Sequence, residues 1–209
     1  MRKIYITLSL LVLLLGSMLS SAYGQQGGDQ VRIFNTVKTK LAEGRQVVGG
    51  TVSTPDPDIY CAMANSGYDF IWIEMQHSHL GFTDVSRMIW ACKDAPAIPF
   101  IRVPDATEGA IQKATDIGAL GIIVPMVDTA EKMENAVKYA KYPPMGRRSQ
   151  GGGQYGALWG RDYRQAANAN VMIIAMIETP EGVAVADEIG SSGSLIVANR
   201  TADTALEHL

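Results

Sequence analysis

Val171-Met172-Ile173-Ile174-Ala175-Met176-Ile177-Glu178 is an unbroken apolar run closed by one carboxylate, and its texture decides the kind of fold this chain adopts. A strand with one wet face alternates apolar and polar side chains, whereas a parallel strand covered on both faces reads as a continuous apolar run. The same texture recurs upstream in Gly121-Ile122-Ile123-Val124-Pro125-Met126, in Pro99-Phe100-Ile101-Arg102-Val103 and in Phe70-Ile71-Trp72-Ile73, and Val47-Val48 lead into Gly49-Gly50-Thr51-Val52. A shorter sixth run spans Leu195 to Ala198. Helical stretches lie between them. Thr54-Pro55-Asp56 is a helix-start signal, Thr83 to Cys92 sets Val85, Met88, Ile89 and Cys92 on one side, and Thr129 to Tyr139 opens on a threonine cap with Glu131 in the first turn. Strand and helix alternate from about residue 46 to 189, which predicts an α/β fold, either an open doubly wound sheet or a closed barrel. No glycine-rich dinucleotide fingerprint follows the first strand, and this weakens the nucleotide-binding version of the open sheet.

The first residues have a different character. Arg2 and Lys3 precede an apolar stretch centred on Leu8 to Leu15, and Ala22-Tyr23-Gly24 offers a small-x-small cleavage pattern. This layout predicts a signal peptide over residues 1–24, an exported (periplasmic or secreted) protein and a mature domain over residues 25–209. An uncleaved membrane anchor is the competing reading, but Thr7, Ser9, Gly16 and Ser17 break a run that falls short of the roughly 20 residues a spanning helix needs. No later segment is apolar enough to span, so no stable membrane span is expected after cleavage. The formal net charge of the 209 residues is −3, with charges dispersed and only Arg147-Arg148 as adjacent bases, which argues against nucleic acid as a partner. Cys61 and Cys92 are the only cysteines. An oxidising compartment permits a disulfide between them, but both sit in apolar helical stretches, where a small buried thiol is ordinary. They do not suggest zinc.

Polar residues gather where strands end: Glu74, Gln76 and His77 after the second, Arg102 after the third, Glu178 after the fifth. Parallel strands converge on one face at those ends, which is where barrel enzymes keep their chemistry. His77, in Glu74-Met75-Gln76-His77-Ser78-His79, is either a proton carrier near neutral pH or a surface turn histidine. Arg102 is either a fork for a substrate carboxylate or half of an internal ion pair. Glu178 is either a hard-cation ligand or the cap of the helix that starts near Pro180. The segment from Tyr142 to Trp159, with Gly146-Arg147-Arg148 and Gly151-Gly152-Gly153, is too long for a simple connector. Its glycines would let backbone N–H groups approach a small anion, and a flexible linker is the plainer alternative.

Four stretches in order carry a more specific likeness: Asp69-Phe70-Ile71-Trp72-Ile73-Glu74-Met75-Gln76-His77, Ile98-Pro99-Phe100-Ile101-Arg102, Asp116-Ile117-Gly118-Ala119 running into Val124-Pro125-Met126-Val127-Asp128-Thr129-Ala130, and Tyr142-Pro143-Pro144-Met145-Gly146-Arg147-Arg148. Across roughly residues 35 to 190 the chain resembles the HpcH/HpaI family of metal-dependent pyruvate aldolases. The resemblance implies a (β/α)8 TIM barrel of the phosphoenolpyruvate/pyruvate type, incomplete here with about six of eight β/α units. It implies class II aldol chemistry on 4-hydroxy-2-oxo acids, giving pyruvate and an aldehyde, with a divalent cation (Mg, Mn or Co) as cofactor. Small-molecule 2-oxo acids and aldehydes would be the partners, and the complete protein would be a homo-oligomer.

By the same resemblance His77 is the acid/base, Arg102 steadies the oxo group and its developing charge, Asp116 is an aspartate associated with the histidine, and Glu178 is the first metal carboxylate. Gln76, Gly151 and Gly152 join Arg102 as substrate-binding candidates. Asp203, 25 residues after Glu178, is the second metal candidate, in a degraded motif, Ala198-Asn199-Arg200-Thr201-Ala202-Asp203. Gln76 stands where many members carry glutamate, and Met176 where some carry glutamine. Asp116 ends a helix ahead of a strand, which puts it at the opposite rim unless local geometry or a neighbouring subunit brings it round. Two other readings compete: a non-catalytic or unstable remnant that acts through association, and a related acyl-CoA carbon-carbon lyase, disfavoured by the lack of an extended basic surface.

Overall fold

A computed structural model describes residues 31–192 and the strand backbone at 195–198. Six strands form one sheet in chain order: β1 (Gly49–Val52), β2 (Phe70–Glu74), β3 (Ile98–Arg102), β4 (Gly121–Val124), β5 (Met172–Ile177) and β6 (Leu195–Ala198). Every neighbouring pair is parallel. Helices follow the strands: α1 (Thr36–Ala42) before β1, then α2 (Pro57–Ala64), α3 (Phe82–Ala91), α4 (Glu108–Asp116) and α5 (Ala130–Ala140). The stretch before β5 contributes α6 (Tyr155–Trp159) and α7 (Tyr163–Asn170), and α8 (Pro180–Ala184) and α9 (Ala186–Ser191) follow it. Sequential parallel order without a reversal is the topology of a barrel wall, not of a doubly wound sheet with its switch point. Among the described residues no helix is long and apolar enough to cross a membrane.

Register explains why the strands are apolar throughout. Every residue of β3, β4 and β5 is buried. Ile71, Ile73 and Ile101 are fully buried on one side of the sheet, while Phe70 and Phe100 stack on the other with ring centroids 4.6 Å apart. Small residues make room for those rings. Gly49 pairs with Phe70 and Gly121 with Phe100, and a β-carbon at either glycine would lie 2.2 or 2.3 Å from the ring. These glycines therefore serve close packing inside the barrel, as expected for glycine in a strand interior.

Local chemistry sets the helix starts. Asp56 caps α2 by accepting from Asp58 N and Ile59 N, with Pro57 at the first helical position. Thr107 caps α4 and Thr129 caps α5 in the same way. Val85, Met88 and Ile89 turn inward from α3, as their spacing predicts. Asn35 and Asn170 tie α1 to the end of α7: Asn170 Oδ1 accepts from Phe34 N and Asn35 N, and Asn35 Nδ2 donates to Asn170 O.

The cysteines correct the expectation of two ordinary buried thiols. Both are half-buried, and a disulfide joins them, with Cα atoms 5.4 Å apart. Cys61 lies in α2 and Cys92 caps the C-terminal end of α3; the packing of these helices on either side of β2 makes neighbours of residues 31 apart in sequence.

Candidate active site

Each site side chain is placed by the last residue or two of a strand. Glu74 ends β2, Arg102 ends β3, and the two are register partners, so their side chains rise from the same face of the sheet. Glu178 follows β5 directly. The Arg102 guanidinium lies between both carboxylates: Nη1 donates to Glu74 Oε2 at 3.2 Å and Nη2 to Glu178 Oε1 at 3.3 Å. The three side chains are only 8 to 12 % exposed. A guanidinium this deep needs paired charge, and here it has two carboxylates. Its Nε is buried without a partner, and its Cζ lies over the Trp72 ring, 6.0 Å from the centroid.

Glu74 does more than neutralise Arg102. Its Oε2 also accepts from Trp72 Nε1 at 3.1 Å, and its Oε1 accepts from the backbone N–H groups of Gln76 (2.8 Å) and His77 (2.9 Å). Burial pushes the Glu74 carboxyl up, but the His77 N–H, Arg102 and the Trp72 N–H together hold it below the ordinary glutamate value. The carboxylate thus bends the chain after β2 into a tight turn that presents His77, whose side of the turn is exposed. Gln76 sits in the same turn, its side-chain Oε1 buried and unpartnered.

The turn after β4 closes on the cluster as well. Met126 N donates to Glu178 Oε2 at 3.0 Å and Val127 N to Met176 O at 2.9 Å. Met126 has φ 53°, a left-handed conformation that is uncommon outside glycine, asparagine and aspartate. Strain of that kind collects where a loop must point a group at a site, and here it points an N–H at Glu178. Glu74 and Met126 are the site components that sequence reasoning left without a role. The position of Glu74 at a strand end was a usable signal for the first; nothing in the sequence marks a methionine for positive φ.

Asp116, Gly151 and Gly152 are not brought to this cluster. Asp116 ends α4 and leads through Gly118 into the start of β4, hence to the rim at the strands' N-terminal ends. Its Oδ1 accepts from Arg148 Nη2 at 2.8 Å. Arg148 is fully buried among Tyr142, Tyr155 and Tyr163, 4.6 to 5.6 Å from their ring centres, and also donates to Tyr163 Oη. This buried cation pins the segment from Tyr142 onward to the same rim. Gly151 O accepts from Tyr155 Oη and Arg164 Nη2, and Gly153 packs so closely on Asp116 O that a β-carbon there would lie 2.5 Å from it. The segment read as an anion-binding loop or a flexible linker instead underpins the barrel, because Arg148 buries itself there. Asp203 lies outside the described residues.

Comparison with known proteins shows the chain's family. The family described as HpcH/HpaI aldolase/citrate lyase matches residues 52–202. A hydroxypyruvate/pyruvate aldolase of Rhizorhabdus wittichii is 37 % identical over 156 residues, covering 75 % of this chain and 62 % of that protein. A 4-hydroxy-2-oxovalerate aldolase of Novosphingobium aromaticivorans is 35 % identical over 152 residues, 71 % of this chain and 58 % of the relative. Among solved structures, an HpcH/HpaI aldolase/citrate lyase family protein from Burkholderia cenocepacia superposes with a TM-score of 0.71 at 29 % identity, covering 77 % of this chain and 66 % of that one. The chain therefore spans about three fifths of the length of these curated relatives. With six parallel strands in barrel order and the family match running across them, this chain belongs to the HpcH/HpaI aldolase/citrate lyase family.

Proposed function

We propose that this chain carries most of the site of a class II aldolase that makes or breaks the carbon–carbon bond between a pyruvate unit and an aldehyde in 4-hydroxy-2-oxo acids. The observation that carries the reading is the Arg102 guanidinium, held between Glu74 and Glu178 at the converging ends of β2, β3 and β5, with the His77 turn anchored to the same Glu74. In the cleavage direction the 4-hydroxyl gives its proton to His77, directly or through water. The C3–C4 bond breaks, the aldehyde leaves, and the electron pair remains on the pyruvate unit as an enolate. A proton returned to C3 completes pyruvate. Arg102 faces the oxygen on which charge develops, and a preorganised donor of this kind is worth about 10²–10³ in rate. Gln76, with its unpartnered buried oxygen, would accept from a substrate hydroxyl.

A divalent cation is the cofactor that family membership suggests. Among the described residues no three of His, Cys, Asp and Glu converge. Glu178 nonetheless offers hard oxygen donors at the strand mouth, and ions such as magnesium take one or two carboxylates and complete their shell with water and substrate oxygens. Glu178 would hold the ion, with Asp203 as the second candidate. When bound, it would supply Lewis-acid polarisation of the 2-oxo group. The test is pyruvate release from a 4-hydroxy-2-oxo acid with and without chelator, in the parent and in His77→Ala. Loss in both the chelated and the substituted protein supports the reading; activity indifferent to chelator or to His77 overturns it.

Two further proposals concern the whole protein. Export rests on the leader-like residues 1–24, which lie outside the described residues, and on the Cys61–Cys92 disulfide, a bond typical of oxidising compartments. A homo-oligomer rests on the family relationship and on the half-exposed Trp90 on α3, and light scattering on the purified chain checks it.

A further inference from the structure

The disulfide closes a covalent ring that contains the C-terminal end of α2, all of β2, the Glu74–His77 turn and all of α3. Its two sulfurs lie toward the C-terminal ends of the helices, at the rim away from the Glu74–Arg102–Glu178 cluster. Asn65 Nδ2 stands 3.7 Å from Cys92 Sγ, and beside Cys92 a shallow groove is lined by Tyr60, Lys93, Pro99 and Trp159. Neither cysteine is fully buried. The ring matters because it encloses β2, which pairs with β1 and β3 and carries Glu74 at its end. Cross-linking α2 to α3 restricts the unfolded chain around β2, and the restriction grows with the length of the closed loop.

We propose that Cys61 and Cys92 form an oxidative staple that makes the stability of this chain depend on the redox state of its compartment. In forming the bond, two thiols give up two protons and two electrons and a single S–S bond appears. By thiol–disulfide exchange the electrons pass to a disulfide-bearing oxidant, which leaves as its dithiol. Before oxidation the β2 unit is held by packing and by its ladders to β1 and β3; after oxidation α2 and α3 are also joined covalently. The inference is independent of the aldolase reading, since its readouts require no turnover.

The test uses the full chain purified from an oxidising compartment. Native protein treated with an alkylating agent without reductant should show no adduct by intact mass, and after reduction it should show two. Reduction should lower Tm by about 10 °C for a ring of this size in a chain of this length. A Cys61→Ser/Cys92→Ser double variant should melt at the reduced value and ignore reductant. Should that variant fail to fold, the parent with and without reductant still decides the matter. Two alkylatable thiols in the native oxidised protein, a disulfide-linked dimer, or a Tm unmoved by reductant would each overturn the proposal.

Discussion

Replacing Glu74 by glutamine or alanine perturbs the site at its most connected point. The carboxylate accepts from Arg102, from Trp72 Nε1 and from the backbone N–H groups of Gln76 and His77. Alanine removes all four acceptances and leaves Arg102, 8 % exposed, with Glu178 alone. Removing one partner of a buried ion pair costs about 3–5 kcal/mol. Glutamine keeps the shape and one acceptor oxygen, and the loss of charged hydrogen bonds then costs about 1.5–3 kcal/mol. Function should suffer through position: with the His77 turn untied and Arg102 drawn toward Glu178, kcat/KM should fall about 10²-fold, the scale of an ångström's misplacement. Urea unfolding followed by tryptophan fluorescence gives the first number, and pyruvate release gives the second. The pH dependence has a definite sign. Because the folded carboxyl titrates below the ordinary glutamate value near 4.3, the advantage of the parent over Glu74→Gln is fully present above that value. It is lost as pH falls through the depressed folded value. A Glu74→Ala protein less than about 1 kcal/mol weaker than the parent, or as active, would refute the anchoring role.

Other substitutions probe the frame around the site. Gly121→Ala sets a methyl 2.3 Å from the Phe100 ring and should cost about 1–3 kcal/mol in urea unfolding, as overpacking does. Asp116→Ala leaves Arg148 buried without its carboxylate and should cost about 3–5 kcal/mol, measured in the same way. Lys141 is buried, and its ammonium donates to the carbonyls of Asn168 and Val171 near the end of α7. Burial first and the charge of Lys38 second push its amine down to about 7. The unfolded chain therefore binds more protons than the folded one between pH 7 and the ordinary lysine range, and stability should rise with pH across that window. Lys141→Met, compared by thermal melts at pH 7 and pH 9, should lack that share of the rise.

Much of the architecture was legible because doubly covered parallel strands leave an unbroken apolar signature. Phe70–Ile73, Ile98–Ile101 and Met172–Ile177 could hardly be anything else, and the caps at Asp56 and Thr129 are purely local chemistry. Arg102 and Glu178 stood out since parallel strands deliver their ends to one rim. Of the two readings of Arg102, the internal ion pair is the one observed, with Glu74 and Glu178 as its partners. Glu74 remained ambiguous until register set it opposite Arg102, a fact no single strand contains. The glycine segment misled because its path depends on Arg148 sinking among three tyrosines, Tyr142 and Tyr155 of the segment itself and Tyr163 of α7. Cys61 and Cys92 met only when α2 and α3 packed, and their spacing carries no trace of that event.

The central claim is that Arg102, Glu178 and His77 act together on the enolate of a pyruvate unit, and exchange at the pyruvate methyl reads this most directly. Proton NMR in D2O should show the methyl signal of pyruvate fading in the presence of the chain and a divalent cation. The signal should persist when chelator is added or when Arg102→Met replaces the parent. Undiminished methyl intensity with folded, metal-supplied parent protein would contradict the account, as would equal exchange by the Arg102→Met variant.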